Sequence, residues 1–215
     1  MKISPSILSI KDDRKLRIAL MDKQDIDYIH LDIMDGKFVM NKTQGFKEDY
    51  EEVSNLKKPL DIHIMVEDIK KYVDNYALLK PRNITFHYEA TKDPDSIIEY
   101  IRNKGIKVGM AINPNTSIDS IGPYLNDIDI VLVMSVEPGK GGQKFIDSAQ
   151  EKIDELRLLK NAYKYNYEIE VDGGINDQTV LKCLNADTIV VGSYITNTHD
   201  YKHQIDIIKE KIDRY

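Results

Sequence analysis

Ile26-Asp27-Tyr28-Ile29-His30-Leu31-Asp32-Ile33-Met34, followed by Asp35-Gly36, is the stretch on which the fold turns. Side chains alternate across a strand, so His30, Asp32 and Met34 share one face while Leu31 and Ile33 point to the other. In isolation this pattern fits the wet face of a half-exposed antiparallel strand. It does not stand alone. Asp61-Ile62-His63-Ile64-Met65 repeats it, and Glu168-Ile169-Glu170-Val171-Asp172 ends in a carboxylate just before Gly173-Gly174.

Working outward, short runs rich in Ile and Val recur along the whole chain and predict strands at 2–8, 26–34, 60–66, 83–87, 107–112, 128–135, 168–172 and 188–192. Mixed-charge segments with helical spacing lie between them, at 12–23, 69–79, 95–104, 148–163 and 204–214. Glu67 and Asp68 put acid in a first turn ahead of Ile69, Val73 and Tyr76 on one face, and Lys104-Gly105 is a helix stop. No linker or low-complexity tract divides the chain. Strand alternating with helix implies parallel strands with right-handed crossovers, and eight units close into a (β/α)8 TIM barrel, one α/β domain over residues 1–215. An open doubly wound sheet is the rival. Both put chemistry at the carboxyl ends of the strands.

The 215 residues have 41% hydrophobic and 31% charged side chains, ordinary for a globular chain, which excludes disordered and fibrous classes. Thirty Lys and Arg against thirty-six Asp and Glu leave a charge of -6, which argues against a nucleic-acid partner. No apolar run reaches the roughly 20 residues that cross a bilayer, so no membrane association is expected. The N-terminus carries no export signal, and Cys183 is the single cysteine, so the expected compartment is the reducing cytoplasm. Cys183 reads as a helix residue packed as a small hydrophobe, and His199 and His203 as solvated. Tyr163, Tyr165 and Tyr167 alternate with Lys and Asn, but no RNA-binding signature accompanies them.

In a parallel barrel both faces of a strand are covered, and an unpaired buried carboxylate or imidazole costs several kcal/mol. His30, Asp32, His63 and Asp172 must then be satisfied together, and two imidazoles with two carboxylates are a ligand set for a divalent transition metal such as Zn²⁺, Mn²⁺ or Fe²⁺. A cation beside a ketone stabilises an enediolate. Glu137-Pro138-Gly139-Lys140-Gly141-Gly142-Gln143, Gly173-Gly174 and Gly192-Ser193 follow the sixth, seventh and eighth strands, where a barrel binds phosphate. The first of these loops is long enough to act as a lid.

Ser4-Pro5-Ser6-Ile7-Leu8, His30 to Gly36, Asp61 to Val66, Met134-Ser135-Val136-Glu137-Pro138-Gly139 with Gly141-Gly142-Gln143, and Val171-Asp172-Gly173-Gly174 together resemble the ribulose-phosphate 3-epimerase family, in order and over nearly the whole chain. The resemblance implies a barrel of the ribulose-phosphate binding type that interconverts D-ribulose 5-phosphate and D-xylulose 5-phosphate in the pentose phosphate pathway. It implies His30, Asp32, His63 and Asp172 as ligands of one divalent cation (Zn²⁺, Fe²⁺, Mn²⁺ or Co²⁺). It makes Asp32 and Asp172 the acid/base pair acting at carbon 3 through a cis-enediolate. Ser6, His63, Met34, Met65, Met134 and Asp172 match substrate contacts, and Gly139, Lys140, Gly141, Gly142, Gly173, Gly174, Gly192 and Ser193 match the phosphate grip. The family also implies a sugar-phosphate substrate and self-association into a homo-oligomer. Departures are Met40 in place of a usual proline, Lys140 in place of a phenylalanine, Tyr194 in place of a small residue, and a shortened Asn185-Ala186-Asp187 turn. A 3-epimerase for a hexulose phosphate such as D-allulose 6-phosphate, and a catalytically silent phosphate-binding barrel, are the alternatives.

Overall fold

A computed structural model describes residues 1–214. Eight parallel strands, β1 (Lys2–Pro5), β2 (Ile29–Met34), β3 (Leu60–Met65), β4 (Asn83–His87), β5 (Lys107–Ile112), β6 (Ile130–Met134), β7 (Glu168–Asp172) and β8 (Thr188–Val191), pair in the order β1-β8-β7-β6-β5-β4-β3-β2. The remaining seam between β1 and β2 is closed by a parallel bridge between Ser6 and His30 and by the Ile7 amide donating to the His30 carbonyl at 3.2 Å. The sheet is thus a barrel, which removes the open-sheet rival. Strand positions agree with the sequence reading; β1 is shorter than expected, ending at Pro5, although the Ser6 amide still donates to the Val191 carbonyl at 3.1 Å.

Helices α1 (Arg14–Met21), α2 (Phe46–Val53), α3 (Ile69–Tyr76), α4 (Pro94–Arg102), α5 (Ser148–Tyr163), α6 (Ser193–Thr196) and α7 (Tyr201–Ile212) cover the outside. In α3 the Asp68 side chain caps the helix by accepting from the Lys71 amide, and Ile69, Val73 and Tyr76 form the buried stripe. After α4, Gly105 turns the chain at φ 73° with its amide on the Arg102 carbonyl. Two connections depart from the regular alternation. The β2–β3 link contains α2, which no expectation placed, and the β5–β6 link has only the 3-10 turns Ile118–Ser120 and Gly122–Tyr124. Cys183 lies in a 3-10 turn, Thr179–Cys183, rather than an α-helix, and is fully buried as expected.

The main core lies between sheet and helices. Outward-facing Ile29, Leu31, Ile62, Ile64, Ile84, Val108, Val131, Ile169 and Ile189 pack there, each contributing about 1.5–3 kcal/mol by leaving water. The barrel interior differs on its two sides. Around β5 and β6 it is apolar, with Ala111, Leu132, Met134 and Val136 in contact. Toward β1 to β4, β7 and β8 it is polar, with buried Ser4, His30, Asp32, Asp61, His63, Asn83, Thr85, His87, Glu170 and Thr188. Gly109 lets the interior close: a Cβ there would lie 2.0 Å from Thr85 Oγ1.

Candidate active site

Parallel pairing sets β2 beside β3 with Asp32 opposite His63 and Met34 opposite Met65, and β6 beside β7 with Met134 opposite Asp172. Inward alternation therefore delivers His30, Asp32, His63 and Asp172 to one point at the carboxyl end of the barrel. One ligating atom from each lies within 4.8 Å of the others. His63 Nδ1 is 3.2 Å from Asp32 Oδ1 and 3.8 Å from Asp172 Oδ2, and His30 Nε2 is 3.4 Å and 4.0 Å from the same two oxygens.

The neighbours of these four orient their lone pairs. Asp61 Oδ2 lies 2.7 Å from His30 Nδ1 and accepts from Ser4 Oγ at 2.9 Å, while Asp61 Oδ1 accepts from Asn83 Nδ2 at 2.8 Å. A carboxylate only accepts, so His30 carries a hydrogen on Nδ1 and directs its Nε2 at the cluster. That Nε2 is fully buried without a hydrogen-bond partner. Ser6 Oγ donates to Asp32 Oδ2 at 2.7 Å, holding that carboxylate with its other oxygen on the cluster. The convergence of imidazole lone pairs and carboxylate oxygens on one orphaned buried nitrogen fits a divalent cation of the transition series.

Electrostatics point the same way. Burial pushes Asp172 up to about 7, helped by the charge on Asp32. Burial also opposes ionisation of Asp32, but His30 and His63 outweigh it and hold that carboxyl well below the usual range. Burial opposes a charge on His30, yet Asp61 and Asp32 overcome it and raise its pKa well above the ordinary histidine value. The cluster thus attracts positive charge at its centre. One tier lower, Glu170 is buried with neither oxygen hydrogen-bonded, and burial together with Asp61 raises its pKa well above normal.

Above the cluster opens a cavity of about 360 Å³. Its floor includes Ser6, Asp32, Met34, Met65, Met134 and Asp172, and its rim Gly139 to Gly142, Gly173, Gly174, Gly192 and Ser193. All the expected substrate-contact positions line it except His63, which is fully buried below, as is His30. The rim needs its glycines: Gly174 has φ +63°, and a Cβ there would lie 2.4 Å from the Phe145 amide nitrogen. The loop after β6 is docked on the loop after β2. Asn41 Nδ2 donates to the Gly139 carbonyl at 2.7 Å, and a Cβ on Gly139 would sit 2.8 Å from Val39 Cβ. Gln143 Nε2 bonds the carbonyls of Glu137 and Lys140 from within, both at 2.7 Å. Lys140 is exposed on this loop, and Met40, on the loop after β2, is 99% exposed.

Tyr194, Asn176 and Asn197 also line the cavity, and sequence reasoning gave none of them a contact role. It also assigned none to Asp61, His87, Glu89 and Glu170, although Asp61 shares the His63 face, Glu170 the Asp172 face, and Thr85 and His87 alternate inward on β4.

A model of the ribulose-phosphate 3 epimerase family matches residues 2–196. Proteins named ribulose-phosphate 3-epimerase are similar along nearly their full lengths. One from Helicobacter pylori is 39% identical over 210 residues, covering 96% of this chain and 95% of its own. One from Bacillus subtilis is 38% identical over 215 residues, covering 97% and 98%. Among solved structures, a KGPDC from Streptococcus mutans has TM-score 0.66 at 13% identity, covering 99% of this chain and 97% of its own. A tryptophan synthase from Mycobacterium tuberculosis has TM-score 0.69 at 10% identity, covering 98% and 90%; these two share the barrel fold. No helix among the described residues is long and apolar enough to cross a membrane.

Proposed function

The chain belongs to the ribulose-phosphate 3-epimerase family, and from that premise we propose that this epimerase inverts carbon 3 of D-ribulose 5-phosphate to give D-xylulose 5-phosphate. The observation that carries the reading is the meeting of two carboxylates, Asp32 from β2 and Asp172 from β7, on the floor of a cavity rimmed by three glycine loops. Inversion at a carbon beside a ketone needs a base to take the proton from one face and an acid to return one to the other, through a planar enediolate. Asp32 and Asp172 supply the two roles. Ser6 fixes the Asp32 carboxylate through its Oδ2, so only the other oxygen is free to turn toward the cluster. Met34, Met65 and Met134 fill the floor with polarizable sulfur, which excludes water without offering a proton.

His30, Asp32, His63 and Asp172 would hold one divalent cation, Zn²⁺, Fe²⁺, Mn²⁺ or Co²⁺. When bound it supplies Lewis-acid stabilisation of the negative charge that develops on the substrate oxygens. The glycine amides after β6, β7 and β8, with Gly192-Ser193 opening α6, grip the phosphate, and Lys140 adds a positive charge over it. The whole chain acts as one domain that self-associates, in a reducing cytoplasm where its lone thiol Cys183 stays free and buried. The reaction belongs to the pentose phosphate pathway.

The test is a coupled assay on D-ribulose 5-phosphate, before and after chelation, with D-allulose 6-phosphate alongside. Strong turnover of the pentulose phosphate, lost with chelator and restored by a divalent cation, with solvent deuterium entering carbon 3, is the expected result. Preference for the hexulose phosphate would keep the chemistry and change the substrate. Activity on neither would leave a silent phosphate-binding barrel.

A further inference from the structure

Behind His63, on the side away from the cavity, a line of polar groups runs out through β4 to the loop after β5. His63 Nε2 lies 2.8 Å from His87 Nε2, with the two rings stacked at 4.9 Å between centroids. His87 Nδ1 lies 3.3 Å from Glu89 Oε2. The other oxygen of Glu89 accepts from the Asn113 amide at 2.8 Å and from the Thr116 hydroxyl. That loop is itself clamped by Lys152 of α5, whose ammonium donates to the carbonyls of Asn113, Pro114 and Thr116 at 3.0, 2.7 and 2.5 Å. Both imidazoles are fully buried, which shields the His63–His87 link from solvent.

The order of hydrogens along it follows from which atoms can donate. Glu89 is a carboxylate and only accepts, so His87 must carry its hydrogen on Nδ1. His87 Nε2 is then a bare acceptor, and His63 must donate to it from Nε2. His63 Nδ1 meets Asp32 Oδ1 at 3.2 Å, a contact that a hydrogen on Nδ1 or a cation between the two can satisfy; with the single ring hydrogen given to His87 from Nε2, Nδ1 keeps its lone pair for the cation. We propose that Glu89, acting through His87, sets the tautomer of His63 and so prepares its Nδ1 as a metal ligand. Glu89 and His87 are positioning residues: neither lines the cavity, and they act on the site only through His63. The arrangement is a carboxylate–imidazole–imidazole chain, one ring longer than the carboxylate–histidine pair that Asp61 makes with His30. The inference rests on the metal reading of the site for its purpose, and on hydrogen-bond polarity alone for its content.

Two near-isosteric substitutions separate polarity from packing. In Glu89→Gln, the Asn113 amide still needs an acceptor, so the new carboxamide oxygen stays there and its NH2 turns to His87. This reverses the chain and puts a hydrogen on His63 Nδ1. In His87→Gln, the carboxamide accepts from His63 and donates to Glu89, which keeps the order. Nitrogen-15 imidazole spectra of the metal-free full-length chain should find His63 bare at Nδ1 in wild type and His87→Gln, and protonated there in Glu89→Gln. Competition with a chromogenic chelator should find Zn²⁺ bound roughly tenfold to a hundredfold more weakly by Glu89→Gln, and within about threefold of wild type by His87→Gln.

An Nδ1-protonated His63 in wild type, or a folded Glu89→Gln with unchanged tautomer and affinity, overturns the proposal. If Glu89→Gln fails to fold, His87→Leu against His87→Gln decides, equal Zn²⁺ affinity being the refuting result. If wild type binds no divalent cation, the metal reading fails, while the tautomer spectra still judge the chain of hydrogen bonds.

Discussion

Asp172 and Asp32 carry the same functional group, reach the cavity floor from different strands, and meet different surroundings. Among the described residues no side chain donates to Asp172 as Ser6 does to Asp32, and burial lifts the Asp172 pKa to about 7, whereas Asp32 is held low by the two histidines. A pair whose members differ in this way suits a reaction that takes a proton at one position and returns it at another. Asp172→Asn keeps the volume and removes the proposed proton carrier, so turnover should fall by about 10²–10⁴ with an unchanged far-ultraviolet circular dichroism spectrum. Near-normal turnover in a folded Asp172→Asn chain would refute the two-carboxylate scheme. Both aspartates and both histidines were legible in the sequence because strict alternation with Leu31, Ile33, Ile62 and Ile64 put polar groups where a covered strand tolerates none unpaired. His87 and Glu89 were not. Their own strand offers one histidine at its last position, and the partner that gives it meaning, His63, lies 24 residues away.

Between elements, two contacts carry consequences for the loops and the layer packing. Lys140 rides on the β6–α5 loop, which Asn41 and Val39 hold against the β2–α2 loop. The charge proposed for it over the phosphate predicts that Lys140→Phe raises KM and flattens its dependence on ionic strength. Steady-state kinetics at low and high salt check this, and unchanged values of both would sink the role. Asp187 opens β8 and ties three elements together. Its carboxylate accepts from Arg157 at 2.6 Å and Lys160 at 3.1 Å on α5, and from the Ile169 amide of β7 at 2.8 Å. Burial raises the pKa of Asp187, but these donors outweigh it and the net shift is downward. A depressed folded-state pKa contributes stability above the unfolded value of about 3.9, lost as pH falls through the folded value. Asp187→Asn should therefore melt about 2–4 °C lower at neutral pH and converge with wild type in acid, for a screened ion-pair loss of about 1 kcal/mol. A constant gap between their melting curves down to strong acid would remove this account.

The strands were readable because runs of Ile and Val served the outer core, and α3 because acid and a spaced apolar stripe coincide at its start. Helix α2 was not: Phe46 to Val53 spans only eight residues, with Asp49 buried on it through a bond from Tyr76 Oη at 2.5 Å rather than as an apolar position. The β5–β6 link lacks an α-helix where Pro114, Gly122 and Pro123 punctuate it.

Closure is a property of the whole molecule, and alternation alone left the barrel and the open sheet both standing. What separates them is the β1–β2 seam, where Ser6 meets His30, and no local pattern announces a pairing of that kind. The closed barrel has a further consequence, because it buries His30, His63 and the polar groups packed around them. His30, Asp61, His63, His87 and Glu170 are all at most 1% exposed. Where the carboxylates of Asp32 and Asp172 face His30 Nε2 and His63 Nδ1, lone pairs repel unless a positive charge lies among them, and unfolding returns these groups to water. A cation that binds only the folded arrangement is therefore linked to global stability. At a free concentration of about 100 times Kd, it adds about 2.7 kcal/mol. For a chain of this size that corresponds to a rise in Tm of about 5–10 °C. Calorimetry of the chelated chain against the same chain with added Zn²⁺ or Mn²⁺ reads the shift directly. The rise should grow with the logarithm of metal concentration and vanish in a His30→Ala, His63→Ala double variant that still folds. Equal melting of the wild-type chain with and without metal, over a wide concentration range, would mean that the buried charges are balanced by protons alone.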